Sequence, residues 1–281
     1  MSGGEASRLD PAVAAKLGTL RGLVRSLPSA IVAYSGGVDS AFMLAVAQAE
    51  LGARCLALTT SSHAVPEREL AEARALAAEL GAEHVVVDTD ETEIADYAAN
   101  PTNRCYFCKD NLYTLCHAEA RQRGIETILD GVNCDDLGDV RPGLNAAAEQ
   151  NVRHLLVEAG MTKADIRAAS AALGLPTWSK PAQPCLASRF PYGTEITHAR
   201  LGRIERAEEA VRSLGFREFR VRFASEDRAL VEIAGDELER AREEAMHARL
   251  VAEVRGAGFT EAILDLRPFR SGRLNEETPA G

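Results

Sequence analysis

The sequence predicts an α/β protein built on a doubly wound, mostly parallel sheet, with a second, smaller α+β domain after it. Between residue 29 and about 135, short apolar runs alternate with amphipathic helical stretches, as they do when helices connect the strands of one sheet across both its faces. The chain then enters the passage PTWSKPAQPCLASRFPYGTEI, whose four prolines from Pro176 to Pro191 exclude regular helix. Beyond it the order changes to helix, two strands, helix, strand. A chain of 281 residues is natural for two domains. The boundary is placed inside the proline-rich passage, giving residues 1–185 and 186–281.

Taken in order, 30–34, 53–58, 84–87 and 127–129 read as strands, and 39–51, 67–80 and 108–123 as helices. Gly52 and Gly81 fall just past helix ends, where a left-handed residue closes the last turn. Thr162 suits the cap of a helix over 163–173. The second domain reads as a helix over 198–214, strands 218–223 and 229–234, a helix over 236–257 and a strand over 262–266. Both termini read as frayed.

The junction after the first strand is the most specific signal. Ser35-Gly36-Gly37-Val38-Asp39-Ser40 lets the backbone approach an anion closely. The free N–H groups and positive dipole end of the helix that follows favour negative charge there. A nucleotide phosphate is the expected occupant. The string lacks the Gly-Lys-Ser/Thr of the common P-loop and resembles the PP-loop of ATP pyrophosphatases, which implies ATP cleavage between the α and β phosphates and adenylation of a substrate. An ordinary strand-turn-helix joint would use the same glycines. Because ligands of such sheets sit beyond the carboxyl ends of the strands, SGGVDS, Thr59 to His63 and the loop DGVNCDD (Asp130 to Asp136) are expected around one crevice.

Composition narrows the partners. A net charge of -10 and a pI near 5.2 do not suit a general nucleic-acid or anionic-membrane surface. No apolar stretch approaches the roughly 20 residues of a membrane span, and MSGGEASRLD has no apolar signal core. A cytoplasmic protein is expected, and a homo-oligomer. No lysine follows Lys180; every later basic side chain except histidine is arginine, the better residue for bidentate phosphate or carboxylate recognition. A codon-biased genome would leave the same trace.

Six cysteines are too sparse for a disulfide scaffold in a chain this long. Cys105 and Cys108 form a C-x-x-C within NPTNRCYFCK at the start of a helix, with metal-ligand spacing and stabilised thiolates. Cys185 lies between Pro184 and Leu186, where a rigid, non-helical loop suits a reactive side chain. Cys55 and Cys116 read as core, and Cys134 stays ambiguous.

The order SGGVDS, NPTNRCYFCK, DGVNCDDLGDVRPG, VEAGMTKADIRAASAALGLPTWSKPAQPCLASRFPYG and FRSGRLNEE resembles the LarE family, over residues 14 to 277. These are ATP-dependent sulfur transferases of nickel-pincer nucleotide biosynthesis. The resemblance implies a small-molecule nucleotide substrate: a carboxylate of a pyridinium biscarboxylic acid mononucleotide is adenylated, and sulfur displaces AMP to give a thiocarboxylate. It makes Cys185, in P-C-L-A-S-R, the sulfur-bearing residue. Where that cysteine stands alone in the family it gives up its own sulfur and becomes dehydroalanine. Where C-x-x-C accompanies it, three thiolates hold a [4Fe-4S] cluster with one iron left open. Cys105, Cys108 and Cys185 match the second pattern, so a cluster is expected over sacrifice.

The resemblance also assigns Ser35, Gly36, Gly37, Asp39 and Ser40 to the β and γ phosphates of ATP, with Asp39 a contact for Mg2+. Thr60 and Ser61 resemble adenosine-facing positions, Gly131 lets a strand pass close to the base, and Lys180 matches a basic position near the phosphates. Arg220 and Arg222 alternate in FRVRF and share one face of a strand, where they suit the substrate's phosphate, with Arg270 a further candidate. A solvated strand face paired with Glu218 or Glu232 is the plainer reading. Competing functions are tRNA thiolation, which calls for a basic surface absent here, an amide-forming ATP pyrophosphatase, which needs no linker cysteine, and a non-catalytic nucleotide binder, which need not keep SGGVDS.

Overall fold

The computed structural model describes residues 9–138 and 142–270. The chain divides into two compact units, Met1–Glu91 with Asn103–Gln183, and Thr92–Thr102 with Pro184–Gly281. Where the sequence suggests one passage near residue 185, the chain crosses between units three times, after Glu91, Thr102 and Gln183.

The first unit opens with helix α1 (Pro11–Arg25), which Asp10 caps by accepting from Ala12 N at 2.8 Å, with Pro11 in the first helical position. Strands β1 (Ala30–Ala33), β2 (Cys55–Ser61), β3 (Glu83–Asp88) and β4 (Thr127–Leu129) form one sheet in the order β3-β2-β1-β4, every pair parallel. Successive side chains of a strand face opposite ways, and here both ways are core. Ala30 and Val32 pack with α1, α2 (Val38–Leu51) and α3 (Glu67–Glu79), while Ile31 and Ala33 pack with α5 (Arg104–Arg123) and α6 (Pro142–Glu149). Burial on both faces is why β1 reads as an unbroken apolar run.

From β1 the chain moves outward through β2 and β3, then returns to place β4 on the other side of β1. The carboxyl ends of β1 and β4 therefore flank the point where the winding reverses, the usual ligand crevice of such sheets. After β4, α7 (Leu155–Glu158) and α8 (Lys163–Ala172) add to the α1–α2 face, and the proline-rich passage begins with a 3-10 turn over Pro176–Ser179.

In the second unit, α4 (Ala95–Ala98) belongs to the segment donated from mid-chain. That segment is tied in by Gly193 N to Asn100 O at 2.9 Å, Ile196 N to Ala98 O at 2.8 Å and Asn100 Nδ2 to Pro191 O at 2.8 Å. Helix α9 (His198–Ser213) precedes a three-stranded sheet of β5 (Phe219–Phe223), β6 (Arg228–Ile233) and β7 (Glu261–Leu264), antiparallel between β5 and β6 and parallel between β6 and β7. The single helix expected over 236–257 is two, α10 (Gly235–Arg242) and α11 (Glu244–Gly256), because Glu243 takes an extended ψ of 129°. Among the described residues no helix is long and apolar enough to cross a membrane.

Candidate active site

The SGGVDS turn sits where the sheet's winding reverses. Gly36 has φ +75°, and a Cβ there would stand 2.9 Å from the Cβ of Ala73, so both its backbone and its surroundings demand glycine. Gly37 is the N-cap of α2, and the first helical bond runs from Ala41 N to Gly37 O at 2.9 Å. The N–H groups of Val38, Asp39 and Ser40 therefore lack an acceptor within the helix and are available to an anion. Ser35 and Ser40 brace the turn: Ser35 N donates to Ser40 Oγ at 3.2 Å and the two hydroxyls lie 3.0 Å apart.

From β4, Gly131 closes against this turn. A Cβ at Gly131 would fall 2.8 Å from Ser40 N, so the loops after β1 and β4 touch through backbone. Beneath it, buried Asp130 accepts from Tyr113 Oη at 2.9 Å and from Val132 N at 3.1 Å, and lies 2.8 Å from His154 Nδ1. The Asp130 hydrogen bond raises the His154 pKa against the opposing effect of burial. Thr60 and Ser61 lie at the carboxyl end of β2, half-buried, past its last β1 pair and in register with Val87 and Asp88 of β3.

Two lysines bring positive charge that the glycine loop itself lacks. Lys163, the first residue of α8, contacts Asp39 Oδ2 through Nζ, and its backbone N donates to Asp135 Oδ2 at 2.9 Å. Thr162 caps α8 in a reciprocal capping box with Asp165, which fixes where Lys163 starts. Lys180 Nζ lies 3.5 Å from Gly36 O and pairs with Glu69 at 2.7 Å and Glu72 at 2.8 Å. Arg167 holds the Lys180 segment by donating to Trp178 O at 2.6 Å and Lys180 O at 2.9 Å. Burial would raise the Glu72 carboxyl, but Lys180 and Arg68 outweigh it and hold the pKa low.

Asp39 fits a divalent cation. Its Oδ2 faces Lys163, but its Oδ1 is buried with no hydrogen-bond partner among the described residues. Burial raises its pKa against the pull of Lys163 and Arg167, with Asp136 adding to the rise. A carboxylate oxygen left without a donor is the kind of hard oxygen ligand that Mg2+ takes together with nucleotide phosphates.

The cysteines divide between the units. Cys105 (exposed) and Cys108 (half-buried), neither in a disulfide, lie one turn apart at the start of α5, in the first unit. Cys185 is half-buried and free in the second unit, where it opens a 3-10 turn over Leu186–Arg189. Among the described residues, no three His, Cys, Asp or Glu side chains stand together as a metal-binding group. Buried Cys55 and Cys116 each have a thiol pKa pushed up to about 12 by burial.

Arg220 and Arg222 share the face of β5 away from Phe219, Val221 and Phe223. Arg220 is buried, donates to Phe219 O at 2.6 Å and lies 4.8 Å from the centre of the Phe269 ring; burial lowers its pKa to about 10. Arg222 bonds Glu232 at 3.0 Å and Ser188 O at 2.9 Å. Arg270 is exposed, and the residues of FRSGRLNEE after it lie outside the described residues. Lys163 and Arg167 escape the sequence reading: the capping pattern T-x-x-D marks the start of α8, but nothing local says that this helix begins beside the carboxylate of Asp39.

Comparisons agree with this geometry. The family described as queuosine biosynthesis protein QueC matches residues 29–178, which hold the parallel sheet and its glycine turn. The chain is 42% identical over 260 residues to an uncharacterized protein of Synechocystis sp., covering 92% of this chain and 97% of that one. It is 36% identical over 269 residues to the pyridinium-3,5-bisthiocarboxylic acid mononucleotide synthase of Lactiplantibacillus plantarum, covering 94% and 95%. An uncharacterized protein of Methanocaldococcus jannaschii is 28% identical over 241 residues, covering 86% and 90%. A PP-loop turn set where a parallel sheet reverses, joined to near full-length likeness to that synthase, places this chain in the LarE family of ATP-dependent sulfur transferases.

Proposed function

We propose that this chain uses ATP to adenylate a carboxylate of a pyridinium-3,5-biscarboxylic acid mononucleotide and then replaces the adenylate with sulfur. The observation that carries the reading is the Asp39 arrangement: an unpartnered buried carboxylate oxygen beside free helix N–H groups, with Lys163 against the other oxygen. It supplies donors, cation and metal ligand for a triphosphate without a P-loop lysine.

In the first step a substrate carboxylate oxygen attacks the α phosphorus, the α–β bridging P–O bond breaks, and pyrophosphate leaves. The helix N–H groups and Lys163 stabilise the charge that gathers on the leaving pyrophosphate. Bound Mg2+ would be held by Asp39 and would neutralise phosphate charge. Ser35, Gly36, Gly37 and Ser40 hold the β and γ phosphates, Thr60, Ser61 and Gly131 face the nucleoside, and Lys180 stands at the edge of the loop. In the second step a sulfur nucleophile attacks the acyl carbon, the acyl C–O bond breaks, and AMP leaves with that electron pair. Cys185 is the residue through which sulfur is delivered. Arg220, Arg222 and Arg270 are proposed to meet the substrate's phosphate.

We propose further that Cys105, Cys108 and Cys185 bind a [4Fe-4S] cluster, which would supply an open iron to carry sulfide. Three cysteines outside any disulfide, two of them a turn apart at a helix start, support this. A cytoplasmic homo-oligomer completes the proposal; exposed Ile263 and Leu266 offer apolar surface for self-association.

The test is pyrophosphate release from ATP with and without the mononucleotide, with mass spectrometry of product and of Cys185. Substrate-dependent pyrophosphate and a thiocarboxylate product are expected, and their absence overturns the reading. Anaerobic purification with iron and sulfide analysis separates the sulfur routes: an unchanged Cys185 mass alongside thiolated product supports the cluster, whereas a mass loss equal to H2S from Cys185 overturns it.

A further inference from the structure

We infer that Arg189 is a positioning residue for Cys185: its guanidinium, locked on Glu208, fixes the backbone that presents the thiol. The inference rests on the reading that sulfur leaves through Cys185. Arg189 is 1% exposed, and a buried guanidinium is tolerated only when its donors are used in good geometry. Nε and Nη2 reach the two oxygens of Glu208 at 2.8 and 2.9 Å, a bidentate pair. Nη1 turns to the loop and reaches Pro184 O at 2.6 Å, Cys185 O at 3.2 Å and Ser188 Oγ at 2.9 Å.

Glu208 makes the anchor rigid. Its Oε1 also accepts from Val221 N at 3.1 Å, so one carboxylate joins α9, β5 and, through Arg189, the peptide units on both sides of the Cys185 α-carbon. Around the cysteine, Leu186, Ala187 and Phe190 are fully buried, and the Phe190 ring lies 5.0 Å from that of Phe223. Arg222 adds a hold on Ser188 O. The carbonyls that flank the cysteine are thus gripped, while its thiol stays free and half-buried. Whether the attacking sulfur is the thiol's own or one carried on a cluster that the thiol helps to hold, it must come within about 3–3.5 Å of the acyl carbon and be correctly aimed, and a shift near 1 Å costs about 100-fold. A lysine at 189 would keep the charge and lose the fork that binds carboxylate and carbonyls together.

The experiment uses the full chain with Arg189→Lys and, as a milder change that removes one Nη1 contact and neither contact to Glu208, Ser188→Ala. Three quantities are read on folded protein: substrate-dependent pyrophosphate release, thiocarboxylate formed, and, after removal of any cluster, the alkylation rate of Cys185 with iodoacetamide, followed by peptide mass spectrometry with Cys134, which stands outside the proposed cluster, as internal control. Arg189→Lys is expected to keep pyrophosphate release within about 2-fold of wild type and to lower thiocarboxylate formation about 10-fold to 100-fold. Its Cys185 alkylation rate is expected to change while that of Cys134 does not, and Ser188→Ala should shift both quantities in the same direction by less. Wild-type values of thiocarboxylate formation and Cys185 alkylation in both variants overturn the inference. If the wild-type protein forms no thiocarboxylate, or Cys185→Ala forms as much as wild type, the underlying reading fails, and the alkylation rates still judge the role of Arg189 separately.

Discussion

At Asp39 two demands meet in one side chain. Burial disfavours its charge, yet Lys163 needs that charge as a counterion and a cation needs the oxygen left over. ATP would bring phosphate oxygens that take Lys163 from Asp39, freeing the carboxylate for metal. Charge-assisted contacts of this kind contribute about 1.5–3 kcal/mol. Lys163→Met should therefore raise the KM for ATP by about 10-fold to 100-fold, read from pyrophosphate release against ATP concentration; an unchanged KM would remove Lys163 from the phosphate site. Gly131→Ala tests the neighbouring backbone contact. With a Cβ placed 2.8 Å from Ser40 N, the loop after β4 must shift, and weaker ATP binding together with a destabilisation of about 1–3 kcal/mol in urea unfolding is expected.

The same lysine depends on an element. Helix α8 starts at Lys163 because Thr162 and Asp165 cap it reciprocally. Thr162→Ala should cost about 1 kcal/mol of stability and, by fraying that first turn, also weaken ATP binding; a loss of stability with normal ATP binding would show that the cap serves folding alone. Elements of this sort were largely legible in the sequence. The apolar runs of β1 and β4 and the glycine turn between β1 and α2 sit where the pattern put them, because burial on both sheet faces writes a continuous apolar signal. Other features left no such trace. Glu243 divides α10 from α11 without proline or glycine, and α5 begins at Arg104 and so takes in both of its first cysteines. At the candidate site, the glycines and Asp39 were readable because turn geometry demands residue types. Lys163 was not, since its partner lies 124 positions away.

Across the whole molecule, pH and thiol reactivity report on buried chemistry. His154 is bonded to Asp130, and its folded pKa is raised. The stability it contributes is therefore full below its unfolded value of about 6.5 and is lost as pH rises through the raised folded value. His154→Gln should destabilise the protein more at pH 6 than at pH 9, measured by urea unfolding at both; an equal loss at the two would show that the imidazolium contributes nothing. In cluster-free protein the six cysteines should likewise separate on alkylation at pH 8, with Cys105 quick and Cys55 and Cys116 silent until the protein unfolds, since their thiols are buried with pKa values near 12. The loan of Thr92–Thr102 to the second unit bears on how such a protein can be cut, fused or inherited in pieces. A fragment starting at Pro184 would leave the amides of Gly193 and Ile196 without the carbonyls of Asn100 and Ala98. Residues that come from the middle of the gene complete the C-terminal unit, so the two halves of this chain are not interchangeable cassettes and must be exchanged, if at all, together.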